Sequence, residues 1–361
     1  MLQEEHKEKL VRTRRPAGFV FALLVCQLVC CRGRQSTYAD EDLFPIRQGA
    51  KWGYIDKTGR TVVKPRFDGA AAFAEGLAPV DIENNLGYID LRGKLVIKPQ
   101  FAEARQFKDG MAWVKTGSAF GFIDKSGKLV IELPSYGDKW RREDSLERRT
   151  AGYYSGAGEF SEGLAPVCLN RKWGYIDRGG RTVIKPMFDD ARGYGAGRAL
   201  VKLEGKWFYI DGQGSMIVDP QAQEAGEFHD GLAWIKISGR TGYIDLIGKV
   251  VVFPEYDVGS DFAEGLAAVA IAGRYGYIDR AGKPVIPPQY DAAGAFSEGL
   301  APVSVRGRTG YIDQSGRMAI VPQFKTAAGF KNGLALVLLG DAGKATYAYV
   351  DRDGKFVWKE K

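Results

Sequence analysis

Apolar and polar positions alternate along this chain in short runs. Leu300-Ala301-Pro302-Val303-Ser304-Val305 alternates and is rich in β-branched residues, the pattern of a strand with two unlike faces. Arg306-Gly307-Arg308 then reads as a turn and Gly310-Tyr311-Ile312-Asp313 as a second strand. Asp313-Gln314-Ser315-Gly316 reads as a tight turn, and Met318-Ala319-Ile320-Val321 as a third strand that Pro322 ends. No segment of the array sustains a helical period.

This unit recurs nine times. Its Asp returns at Asp56, Asp90, Asp124, Asp177, Asp211, Asp245, Asp279, Asp313 and Asp351, with a step of 34 residues except for 53 before Asp177 and 38 before Asp351. Such a period marks a repeat architecture, in which each unit buries its apolar face against its neighbours. Each Asp stands three residues before a Gly. The spacing predicts a turn in which the carboxylate accepts backbone N–H groups and the Gly supplies a positive φ. The nine Asp are therefore turn formers, with the carboxylate already occupied. An aromatic stands two residues before each Asp, from Tyr54 to Tyr349. Gly precedes that aromatic in seven copies, Phe208 and Ala348 being the exceptions, and is expected to seat an aromatic from the adjacent unit. The expected fold is all-β: a tandem array of nine ~34-residue hairpin or meander units, as a superhelical solenoid or a propeller-like ring. The termini lean toward the open form, because neither offers a strand that the other lacks.

These residues resemble the WG-repeat family of bacterial proteins, named for Trp-Gly as in Trp52-Gly53 and Trp173-Gly174. The likeness runs from residue 43 to about 358 through Gly-Tyr-Ile-Asp, Asp-x-x-Gly, Pro-x-Phe and Glu-Gly-Leu-Ala in order. Only Trp52, Trp173 and Trp207 keep the Trp. Leu86, Phe120, Thr241, Tyr275, Thr309 and Thr346 replace it elsewhere. The resemblance implies a β-rich array on exported or envelope-associated proteins, with interaction roles and no catalytic residues. Trp207-Phe208-Tyr209-Ile210-Asp211 also resembles the hairpins of cell-wall-binding repeats, which hold envelope ligands between units.

Composition adds a location and removes several chemistries. Residues 1–39 read as a targeting segment: Arg12, Arg14 and Arg15 precede an apolar run from Ala17 to Cys31, a length of roughly 15 residues that suits a signal peptide better than a membrane span. Export to the periplasm, envelope or exterior is the expectation, with an uncleaved anchor or lipidation of Cys31 as the alternatives that would tie the chain to a membrane. Residues 40–361 form the array. The formal charge of +7 falls to about +3 without the first 39 residues, too mild to argue for nucleic acid. Cys168 is the one cysteine of the array, so packing must stabilise it. His229 is its one histidine, and no nucleophile motif, metal-ligand spacing or phosphate loop occurs, so no metal, cofactor or enzymatic activity is expected.

Binding candidates lie where the repeat breaks. The largest break is an insertion over 134–158, where Trp140 could anchor a partner among Arg141, Arg142, Arg148 and Arg149. The plain alternative is a solvated excursion. Trp52, Trp173 and Trp207 are the candidates for an aromatic binding face. Arg60, Lys94, Lys128, Arg181, Lys249, Lys283, Arg317 and Lys355 come directly after the turn Gly and read as solvated strand-edge charges. The expected function is an exported, non-enzymatic scaffold for a protein or envelope component. The alternatives are an array that binds peptidoglycan or another glycan in inter-repeat aromatic pockets, and an enzyme or enzyme regulator.

Overall fold

The computed structural model describes residues 43–117, 119–133, 154–340 and 346–360, and every regular element among them is a strand. The strands form nine antiparallel sheets, three strands in the first and four in each of the others. Taken as blades, these are 43–67, 69–101, 103–133, 154–188, 190–218, 224–256, 258–290, 292–324 and 326–359. Blade 2 is representative: Gly69–Ala70, Ala78–Ile82, Asn85–Ile89 and Leu95–Phe101 pair in chain order. The insertion residues Trp140, Arg141, Arg142, Arg148 and Arg149 lie outside the described residues, as does Cys31.

The Asp turns form as the spacing predicts. Asp56 Oδ1 accepts the N–H groups of Thr58 at 3.0 Å and Arg60 at 3.1 Å, and Gly59 takes a φ of +85°. Burial disfavours the charge on Asp56, but the Thr58 hydroxyl, these N–H groups and the Arg60 side chain hold its carboxyl below the ordinary range. The same pair of backbone bonds recurs at the other turns, for example at Asp211 and Asp313.

Packing between blades rests on the aromatic two residues before each Asp. The Tyr54 hydroxyl donates to the Ala71 carbonyl of the next blade at 2.8 Å, while its ring meets Phe73 edge-on with centroids 4.9 Å apart. Tyr88, Tyr175, Tyr209, Tyr243, Tyr277 and Tyr311 repeat the bond 17 residues on. The core is accordingly divided into clusters between blades, such as Leu43, Tyr54, Val63 and Phe67 of blade 1 against Phe73, Val80 and Ile89 of blade 2.

The ring is closed, which corrects the lean toward an open array. Phe44, Ile46 and Ile55 of blade 1 share a cluster with Leu334 and Tyr349 of blade 9. The Tyr349 hydroxyl donates to the Pro45 carbonyl at 3.0 Å, and Gly59 packs on Val357. In blade 2 the corresponding carbonyl, of Pro79, accepts the N–H of Ala71, directly after the short first strand. Among the described residues each blade is built from one continuous stretch of chain, and an inter-blade tyrosine and a turn glycine close this joint as they do the others.

The strand glycines are a second correction. A Cβ on Gly53 would stand 2.4 Å from the Val63 carbonyl oxygen of its own blade, not against a neighbouring ring. Between the pairs Trp52↔Phe67 and Tyr54↔Val63 the last strand carries extra residues, and this bulge carries Lys64-Pro65 across the glycine. At the two exceptions the pairing with the last strand differs. Pairing in blade 5 stops at Tyr209↔Val218, so nothing crosses Phe208. Ala348 pairs with Lys359, and the register shift of that pairing falls one step further on, between Tyr349 and Val350.

Candidate functional site

The short first strands and the connectors after them touch their counterparts in the next blade and so lie toward the inside of the ring. Gln106 Nε2 donates to the Ala72 carbonyl at 2.7 Å, and Ser297 Oγ to that of Phe330 at 2.6 Å. Carboxylates at the connector turns accept the N–H of the next blade's Gly: Glu75 from Gly110, Asp109 from Gly163, Glu162 from Gly197, Asp230 from Gly265, Glu264 from Gly299 and Glu298 from Gly333. At the joint of blades 5 and 6 the donor would be Gly231, and the position facing it is Ala196.

That joint is irregular elsewhere too. In blades 1 and 4 the repeat Trp has an aromatic directly across the strand, Phe67 for Trp52 and Phe188 for Trp173. Blade 5 has Ala222 two residues after Pro220, where Phe67 stands two after Pro65, and its last strand, Met216–Val218, ends early. Trp207 is thus left without an aromatic across the strand on that side. Blade 6 carries Trp234 where blade 2 has Pro79, and Gly226 leaves room for its indole: a Cβ there would lie 2.1 Å from Trp234 Nε1.

At this joint Trp207, Gly226 and Trp234 line a cavity of about 590 Å³. Blade 5 supplies Arg192, Leu200 and Trp207, blade 6 supplies Glu224, Ala225, Gly226, Glu227, His229 and Trp234, and blade 7 adds Asp261. The Arg192 guanidinium lies 5.9 Å and Lys202 Nζ 5.4 Å from the Trp207 ring centre. His229 Nε2 stands 3.7 Å from Asp261 Oδ2, and Lys236 Nζ 3.9 Å from Glu224. Burial, then the charges of Asp261 and Glu227, push the Tyr209 hydroxyl above its ordinary value, and it donates to the Gly226 carbonyl at 2.6 Å. Indole faces, fixed donors and acidic acceptors share one concave site, the usual make-up of a small-ligand pocket.

A second cavity of about 210 Å³ lies at the closing joint, lined by Leu43, Phe44, Pro45, Phe73, Leu334, Leu336 and Tyr349, with Lys331 as its one charged lining residue.

Of the sequence candidates, Trp52, Trp173 and Trp207 are all half-buried and packed against separate core clusters in blades 1, 4 and 5. Only Trp207 lines the larger cavity. The basic row is exposed, and Arg60 and Arg317 fold back on Asp56 and Asp313 at 3.1 and 3.2 Å. Cys168 is buried. Sequence reasoning missed Arg192, Glu224, Glu227, His229, Trp234 and Asp261. The signals were Phe208 and Ala222 in one unit and, in the next, Trp234 at a position that only Trp113 of blade 3 also fills with an indole.

Among the described residues no helix is long and apolar enough to cross a membrane. The chain is similar in structure to a crystal structure of the eukaryotic initiation factor, with 10% identity, a TM-score of 0.59, and 90% of this chain and 96% of that one covered. It is less similar to the dihydro-heme d1 dehydrogenase NirN in complex with DHE, with 12% identity, a TM-score of 0.47, and coverage of 89% and 73%. For PorZ, a surface component of the type-IX secretion system of Porphyromonas gingivalis, the values are 11%, 0.33, 80% and 44%. These likenesses concern the fold alone, and only the first is strong enough to support it. No curated protein matches the sequence. The sequence pattern described as the WG containing repeat matches residues 52–85, 87–118, 120–133, 152–173, 173–207, 207–240, 242–275, 275–308 and 310–341. Those tandem matches run through all but the first strand and the last two strands of the ring, and the chain belongs to the WG-repeat family.

Proposed function

We propose that this protein is an exported, non-enzymatic binding scaffold that engages a protein or cell-envelope component through the cavity of blades 5 and 6. One observation carries the reading: the repeat's turn carboxylates are spent on turns and joints, while two indoles and a set of exposed charged connector residues line one concave site. Asp56 and its eight counterparts each spend one carboxylate oxygen on two backbone N–H groups, whereas Arg192, Glu224, Glu227, His229 and Asp261 are exposed at the cavity. Export rests on the targeting character of residues 1–39.

The test is affinity capture from envelope extracts with the array from Asp40 onward. Trp234→Ala and Glu227→Ala are compared with deletion of 138–150. The cavity variants are expected to lose the captured component and the deletion to retain it. Retention by both cavity variants with loss on deletion would move the site to the insertion.

A further inference from the structure

We propose that the cavity of blades 5 and 6 takes an uncharged sugar residue of a glycan chain. This rests on the cavity being the binding site and adds the class of ligand.

Charge narrows the choice first. Trp207 already has the cations of Arg192 and Lys202 near its ring, at 5.9 and 5.4 Å. A cationic ligand on that face would meet two like charges. An anionic ligand would meet Glu224, Glu227 and Asp261. Glu224 and Asp261 have Lys236 and His229 nearby, while Glu227 forms no ion pair among the described residues. A neutral ligand escapes both penalties.

Hydrogen bonding narrows it again. The site offers donors on Arg192, which also pairs with Asp190 at 3.4 Å, and acceptor-only carboxylates from the two following blades. A hydroxyl donates once and accepts twice, so a ligand dense in hydroxyls serves both kinds of group. A peptide segment brings fewer such groups for its size. The indoles of Trp207 and Trp234 supply the remaining feature. Their π-faces are negative, and the C–H bonds on the flat side of a pyranose are slightly positive. A volume of about 590 Å³ falls in the range of sites for small ligands. The cavity at the closing joint has neither the indoles nor the carboxylates, and is not a candidate for such a ligand.

The experiment is calorimetric titration of the array with tetrasaccharides that share the pyranose shape and differ in charge. Cellotetraose, maltotetraose and N-acetylchitotetraose are neutral, deacetylated chitotetraose is cationic and tetragalacturonate is anionic. At least one neutral chain is expected to bind at one site per ring, with its charged relatives weaker by about tenfold or more. Glu227→Ala, an exposed position, is expected to weaken the neutral ligand by about tenfold without changing the melting temperature. Trp234→Phe, which keeps a ring, is expected to weaken it less than Trp234→Ala. Tighter cavity-dependent binding of the cationic or anionic chain would overturn the sugar assignment and leave the cavity as the site. Failure of all three neutral chains, with envelope capture still dependent on Trp234, would do the same. Capture that ignores the cavity variants would overturn both readings.

Discussion

The joint of blades 5 and 6 and the joint of blades 9 and 1 each leave a cavity on the inner side of the ring, but their linings differ in kind. The first is walled by two indoles and carries Arg192, His229 and three carboxylates. The second is almost wholly apolar, lined by Leu43, Phe44, Leu334, Leu336 and Tyr349. Both joints keep the donating tyrosine but change its acceptor, the connector carbonyl of Gly226 for Tyr209 and the strand carbonyl of Pro45 for Tyr349. The scaffold therefore keeps its inter-blade tyrosine at both joints and lets the inner connectors vary. Closure uses that freedom for apolar packing, and the joint of blades 5 and 6 uses it to present polar groups.

The largest expected effect should break both joints together. Burial raises the Tyr349 hydroxyl to about 12, and burial raises the tyrosines of the other joints as well. A raised folded-state value means that the stabilisation is complete below the unfolded tyrosine value of about 10 and is lost as pH rises from there through the folded value. Each such tyrosine removes on the order of 1 kcal/mol per pH unit above that point. Circular dichroism against pH should show cooperative unfolding above about pH 10, and a ring still folded well above pH 12 would contradict the shared tyrosine joint.

The next effect separates blade 5 from its neighbours. Gly242→Ala in blade 6 puts a Cβ 2.5 Å from the Val252 carbonyl oxygen, and a loss of about 3 kcal/mol is expected in urea unfolding. Phe208→Ala in blade 5 meets no crossing strand and should lose only the buried part of its ring, about 1–2 kcal/mol. Equal losses at the two sites would show that the early end of the last strand does not explain Phe208.

Tyr349→Phe and Tyr209→Phe should each cost about 1 kcal/mol, the value of one hydrogen bond to a buried carbonyl. A much larger loss for Tyr349→Phe would mean that closure depends on that bond more than on the apolar cluster around Phe44. The smallest effect is a gain. Ala196 has a φ of +53°, matching the +50° of Glu75, which bonds the next blade's Gly110. Ala196→Glu should supply the missing acceptor for Gly231 and raise stability by about 0.5–1 kcal/mol by thermal melt.

Local features were legible in the chain and long-range ones were not. The nine Asp-x-x-Gly turns and the strands around them are local: each carboxylate is satisfied within four residues, so spacing was enough to predict them. The role of the strand glycines was misread, because the segment crossing Gly53 is set by a bulge further along the chain, in Lys64-Pro65. The candidate site was largely missed. Of the aromatic candidates only Trp207 lies in it, since the repeat motif marks the aromatic positions but not which of them loses its partner. Arg192, His229 and Asp261 each look like ordinary variation in a connector when read alone.

The sequence by itself determined the unit: alternating strands, carboxylate-bonded turns, an aromatic at a fixed place before each Asp, and a period that stacks like units. It could not determine closure, because a 34-residue step fixes the order of the blades but not the small rotation between them that decides whether the last meets the first. Tertiary structure decided that, by bringing Tyr349 onto Pro45 across a separation of 304 residues. It also decided where ligand chemistry gathers. Residues from 192 to 261 meet only because neighbouring blades place their inner connectors side by side.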